Sequence, residues 1–152
     1  MARREIIKEG DPVLRQVAQP VERVTKKLTA LINDMAETMY AADGVGLAAP
    51  QIGEPIRVIV ADAGDGLIAL VNPVITKTDG EDIEVEGCLS IPGVTGYVKR
   101  YAQVQVQGLN EKGKPVKIQA DGLLARILQH EIDHLDGILF IDKATSVAED
   151  TE

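Results

Sequence analysis

The sequence predicts an α+β fold in a single compact domain, with antiparallel or mixed sheets around a helix near the C-terminus. Three observations lead there. Helical periodicity appears twice, once near each end of the chain. Short β-branched runs fill the middle. The strand–helix–strand alternation of a doubly wound sheet is missing. Residues 1–152 read as one domain, since this length supports a real hydrophobic core. Residues 144–152 read as a flexible acidic tail ending Glu149-Asp150-Thr151-Glu152.

The elements follow in order. Asp11-Pro12-Val13-Leu14-Arg15 starts a short helix, with Asp11 as N-cap and Pro12 at the first helical position. A longer helix is expected from about Thr25 to Ala41. Leu28, Leu31, Ile32, Met35 and Met39 recur on one face, and Asp43-Gly44 ends it. Arg57–Ala61 and Leu67–Val71 read as strands, the second stopping at Asn72-Pro73. Gln103–Gln107 alternates polar and apolar, as a half-buried strand does. Asn110–Gly113 is a turn, and Pro115–Gln119 is the returning strand. The last helix runs from Asp121 as N-cap to about Leu135, with Gly137 as its left-handed stop. Ile138-Leu139-Phe140-Ile141 reads as a closing strand.

Bulk properties narrow the function. A formal charge of −8 and a pI near 4.8 argue against a broad electrostatic grip on nucleic acid or anionic lipid. The first residues hold no apolar run fit for a signal peptide, and no stretch approaches membrane-spanning length. The lone cysteine cannot form an internal disulfide, so a reducing cytoplasm is the expected home.

Both histidines and the one cysteine fall in two short motifs, Glu86-Gly87-Cys88-Leu89-Ser90 and His130-Glu131-Ile132-Asp133-His134. His130 and His134 are four apart on the last helix, so both imidazoles share one face and can bind one ion. Glu131 is free to hold and deprotonate a water. Two solvated or core histidines would be the bland alternative. A third ligand is needed, and no histidine lies downstream. Cys88 is the remaining candidate, although alone it reads as an inert buried thiol. Three protein ligands leave a coordination position open, whereas a closed structural zinc site takes four.

Gly44-Val45-Gly46-Leu47-Ala48-Ala49 formally matches a dinucleotide fingerprint, but a helix precedes it where a strand is required. Its glycines instead suit close backbone approach to an extended peptide. Gln51 offers an amide donor for a developing oxyanion. A tight turn with a surface glutamine is the plainer reading.

Taken in order, Gly44-Val45-Gly46-Leu47-Ala48-Ala49-Pro50-Gln51, Glu86-Gly87-Cys88-Leu89-Ser90 and His130-Glu131-Ile132-Asp133-His134 closely resemble the signature of the bacterial peptide deformylases. The resemblance spans nearly the whole chain. It implies removal of the N-formyl group from the initiator methionine of new polypeptides, with release of formate. It implies one ferrous ion in the cell, replaceable by zinc, nickel or cobalt. The ligand roles carry to Cys88, His130 and His134, and the acid/base role to Glu131. The oxyanion role carries to Gln51 and the Leu89 backbone N–H. Backbone pairing with substrate carries to Val45, Gly46 and Gly87, and the methionine pocket to Val45 and Ile127. Arg126 departs from relatives that are apolar there, at the outer rim of that pocket. Some relatives carry a basic C-terminal helix that touches the ribosome. The acidic end here implies no such docking, and a monomer is expected. A zinc endopeptidase and a non-catalytic metal-binding module are the rival readings.

Overall fold

The computed structural model describes residues 3–149. Its first helical element, a 3-10 turn over Pro12–Arg15, is capped by the Asp11 side chain as the sequence predicts. Helix α1 spans Lys26–Ala41, and Thr25 caps it by accepting a hydrogen bond from the Leu28 N–H at 3.2 Å. Strands β1 (Gly46–Ala48), β2 (Val58–Ala61), β3 (Ile68–Cys88), β4 (Ile91–Leu109) and β5 (Pro115–Asp121) follow. Helix α2 covers Gly122–Leu135 and strand β6 covers Ala144–Glu149.

All six strands form one antiparallel sheet in the order β1-β2-β3-β4-β5, with β6 also on β4. The long β3–β4 hairpin is its spine. On its other edge β4 pairs with β5 over Gln103–Leu109 and with β6 over Val94–Val98.

The two helices explain why β2 is apolar at every position. Val58 and Val60 pack with Leu28, Leu31, Ile32, Met35 and Met39 of α1. Ile59 and Ala61 pack with Ala125, Leu128, Ile132 and Leu135 of α2. A strand covered on both faces has no polar face to show, so alternation disappears. A third cluster of Leu14, Ile91, Val98, Leu139 and Phe140 closes the end of the sheet beside α2.

Three expectations change. Asn72-Pro73 does not end the strand; β3 runs on through it to Cys88. Asn72 adopts a left-handed φ of 54°, the register shifts between Val71 and Val74, and the bulge accommodates Pro73, which has no N–H to donate. The Asn72 side chain holds the bulge by accepting from the Val21 N–H at 2.8 Å and donating to its carbonyl at 2.7 Å. Ile138–Ile141 is not a strand. A 3-10 turn forms over Phe140–Asp142, and the run is apolar because Leu139 and Phe140 are buried. Residues 144–149 are not a loose tail but strand β6, while 150–152 lie outside the described residues. Gly137 does stop α2 in the left-handed region, and a Cβ there would lie 2.5 Å from the Arg15 carbonyl oxygen.

Candidate active site and metal centre

Helix α2 carries an apolar face toward the sheet, and that face delivers His130 and His134 to the interior. Both are buried, with ring centroids 5.1 Å apart. Cys88, the last residue of β3, brings its Sγ to 3.4 Å from His134 Nε2. The three donor atoms lie within 4.8 Å of one another. Ligand bonds of about 2.3 Å to sulfur and about 2.0 Å to nitrogen, set tetrahedrally, separate the donors by about 3.5 Å. The donor set therefore fits one borderline-soft divalent cation with two imidazoles and a thiolate as its protein ligands.

His130 is oriented from behind. Its Nδ1 lies 2.8 Å from Glu86 Oε1, which reserves Nε2 for the centre. Arg100 forks onto both oxygens of Glu86 at 2.8 Å, and Arg126 Nη1 donates to Oε2 at 2.5 Å. Arg100 also binds Asp133, inside the histidine motif. Burial alone would raise the Glu86 carboxyl, but the Arg100 and His130 hydrogen bonds outweigh it and hold it far below the ordinary range.

Glu131 is buried, and its Oε1 has no hydrogen-bond partner among the described residues. Such a group is costly unless a ligand or water satisfies it. Burial pushes its carboxyl up to about 7. Burial opposes charge on His130, yet the Cys88 sulfur, Glu131 and Glu86 outweigh it and push the ring up to about 10. Burial and the His130 charge drive His134 well below its usual value. The metal-free site thus holds a proton on His130 near neutrality that a cation must expel. Zinc affinity, measured by chelator competition between about pH 6 and pH 8, is expected to rise about tenfold per pH unit for each proton displaced. An affinity flat across that window would contradict this linkage.

Gln51 stands on a 3-10 turn over Ala49–Ile52 that follows β1. Its Oε1 accepts from the Ala48 N–H at 2.9 Å, which fixes the amide orientation. Its Nε2 then donates to Ser90 Oγ at 3.1 Å and lies 3.6 Å from Cys88 Sγ. A turn rather than a helix follows the glycine segment, so its dinucleotide pattern has no matching context.

A cleft of about 680 Å³ opens on these groups. Val45, Gly46, Gly87, Leu89 and Ile127 line it together with Cys88, His130 and Glu131. His134 lies behind them, fully buried. The close approach at Gly46 is strict: a Cβ there would lie 2.6 Å from Glu131 Oε2 and 2.8 Å from Ile127 Cγ2. Gly46→Ala is therefore expected to displace Glu131 and lower kcat by about 10–100-fold. The protein should still melt cooperatively, and unchanged turnover would refute the contact.

Every residue singled out from the sequence reaches this cleft or its floor. Arg126 lines the cleft as well, and its guanidinium is buried, the residue being 7% exposed. Sequence reading missed Arg100, Asp133 and Ser90 as supporting residues. It also passed over the Glu86 carboxylate, although that residue stands in a quoted motif.

The model of the polypeptide deformylase family matches residues 3–150. The peptide deformylase of Halothermothrix orenii is 59% identical over 148 residues, covering 96% of each chain. That of Carboxydothermus hydrogenoformans is 52% identical, covering 97% of each. Among solved structures, a peptide deformylase from Thermotoga maritima matches with a TM-score of 0.94 at 41% identity, covering 96% of this chain and 100% of that one. One from Synechococcus elongatus in complex with actinonin gives 0.92 at 46%, covering 96% and 81%. With three motifs gathered in one cleft and full-length likeness in both sequence and fold, this chain belongs to the polypeptide deformylase family.

Proposed function

We propose that this chain hydrolyses the N-formyl amide of the initiator methionine on newly made polypeptides, releasing formate and a free amine. The observation that carries the reading is the meeting of Cys88, His130 and His134 beside the unpartnered oxygen of Glu131 at the floor of a cleft. A divalent cation held by those three residues supplies Lewis acidity and an acidified water; ferrous iron is the proposed native ion, with zinc, nickel or cobalt as substitutes.

The chain's own groups account for the remaining steps. Glu131 takes the proton of the attacking water and later returns it to the departing amine. The water oxygen bonds to the formyl carbon, and the C–N bond breaks. Gln51 Nε2 and the Leu89 N–H donate to the formyl oxygen as it gains charge. The amide clamp at Ala48 pre-sets the direction of the first donor.

Strand edges are the proposed grip on the peptide. Strand β1 pairs only with β2, and β3 from Glu81 to Cys88 pairs only with β4, among the described residues. Both free edges line the cleft, at Val45 and Gly46 and at Glu86 and Gly87. An extended chain can hydrogen-bond to either edge. Val45 and Ile127 then flank the methionine side chain. No helix among the described residues is long and apolar enough to cross a membrane. A cytoplasmic monomer acting on nascent polypeptides is the proposed setting.

The test is formate release from formyl-Met-Ala-Ser by protein prepared without oxygen, with metal measured on the same sample. The crowding by Gln51, Leu89 and Glu131 predicts acetyl-Met-Ala-Ser to react at least about 100-fold more slowly. Equal rates would remove the steric argument. Cleavage of internal bonds in unformylated peptides would support an endopeptidase instead.

A further inference from the structure

We infer that Arg126 is a positioning residue of the metal centre: it fixes Glu86, and through Glu86 the ring of His130. The inference rests on the reading of Cys88, His130 and His134 as ligands. Its ground is the hydrogen-bond geometry. Glu86 Oε1 faces Arg100 Nη2 and His130 Nδ1, each at 2.8 Å. Glu86 Oε2 accepts from Arg100 Nε at 2.8 Å and from Arg126 Nη1 at 2.5 Å. One fork alone grips the carboxylate from β4. The second guanidinium comes from α2, one helical turn before His130, so the helix that carries the imidazole also carries a restraint on the group orienting it.

Arg126 has further anchors. Nη1 donates to the Val98 carbonyl on β4 at 2.9 Å, and Nη2 donates to the Asp82 carbonyl on β3 at 3.0 Å. It therefore ties α2 to both strands of the hairpin whose end bears Cys88. An apolar side chain at this position would fill the space but leave Glu86 Oε2 with one donor fewer. The ligand from the strand and the ligands from the helix would then lose a shared brace.

The experiment compares Arg126→Met, Glu86→Gln and the double variant with the parent protein. Zinc dissociation constants come from competition with a chromophoric chelator, and the cobalt form reports ligand-field bands in the visible spectrum. Arg126→Met is expected to weaken zinc binding about 10–100-fold and to shift the cobalt bands. The double variant should bind zinc within about twofold of Glu86→Gln alone, because residues acting through one another are not additive. Arg126→Lys, which keeps the charge without the fork, should fall between parent and Arg126→Met. A folded Arg126→Met protein with parental affinity and spectrum would overturn the inference, as would multiplying losses in the double variant. Were Arg126→Met not to fold, parental zinc affinity in Arg126→Lys would overturn it. A parent that binds no zinc, cobalt or ferrous ion would instead bring down the ligand assignment itself.

Discussion

Glu131→Gln is expected to keep its metal and lose about three orders of magnitude in turnover. The carboxylate is not among the three converging donors, so removing its charge leaves the ligand set intact. Glutamine has nearly the same shape and fits beside Gly46, but it cannot accept the proton of an attacking water. General acid–base groups contribute about 10²–10⁴-fold, and the same group is proposed here for both proton transfers. Metal content and formate release on one sample check the result. A variant with near-parental turnover would eliminate the assigned shuttle. A second readout follows from burial. A carboxyl raised in the folded state costs stability as pH climbs from its unfolded value near 4.5 through about 7. The metal-free variant should therefore melt above the metal-free parent at about pH 8 and level with it at about pH 4.

Cys88→Ala attacks the other half of the site. Sulfur supplies one of three protein ligands, and alanine supplies none. Four-ligand zinc sites share about 10–16 kcal/mol of binding, so one ligand accounts for about 3–4 kcal/mol, or roughly 10²–10³ in affinity. Activity should vanish at ordinary metal concentrations. It should return in part only at high metal. The fold should persist, because Cys88 is only partly buried and ends a strand that β4 still pairs. Chelator competition and a thermal melt on the same preparation separate metal loss from unfolding. Full metal content in the variant would remove Cys88 from the ligand set.

The sequence disclosed the helices and the site far better than the sheet. Leu28, Leu31, Ile32, Met35 and Met39 repeat at helical spacing because α1 buries one stripe. His130 and His134 were readable for the same reason, one turn apart on a buried face. The middle of β3 was not readable. Lys77, Thr78, Asp79, Gly80 and Glu81 are exposed and polar or bare, so no apolar alternation marks that stretch, and the alternating Ile83 and Val85 that follow are exposed rather than core. Its pairing comes from backbone hydrogen bonds to β4, which leave no trace in composition. Asn72-Pro73 signalled a real local break, but a bulge absorbs it and the strand resumes. Strand β6 escaped because it is short and largely exposed, held through its backbone to β4. The network around Glu86 was hidden because Arg100 and Arg126 are distant in sequence and ordinary in type. Only the hairpin and helix together bring them to one carboxylate.

The two strand edges that no further strand covers among the described residues have a consequence for which proteins this enzyme can serve. Under the proposed function, a substrate docks by completing a gap in the sheet, and main-chain amides are the same in every polypeptide. Recognition is then blind to most of what distinguishes one gene product from another. Methylating the amide nitrogens of a short formylated peptide should harm it more than exchanging the residues after methionine. Such indifference suits a catalyst that must act on the first residue of a whole proteome.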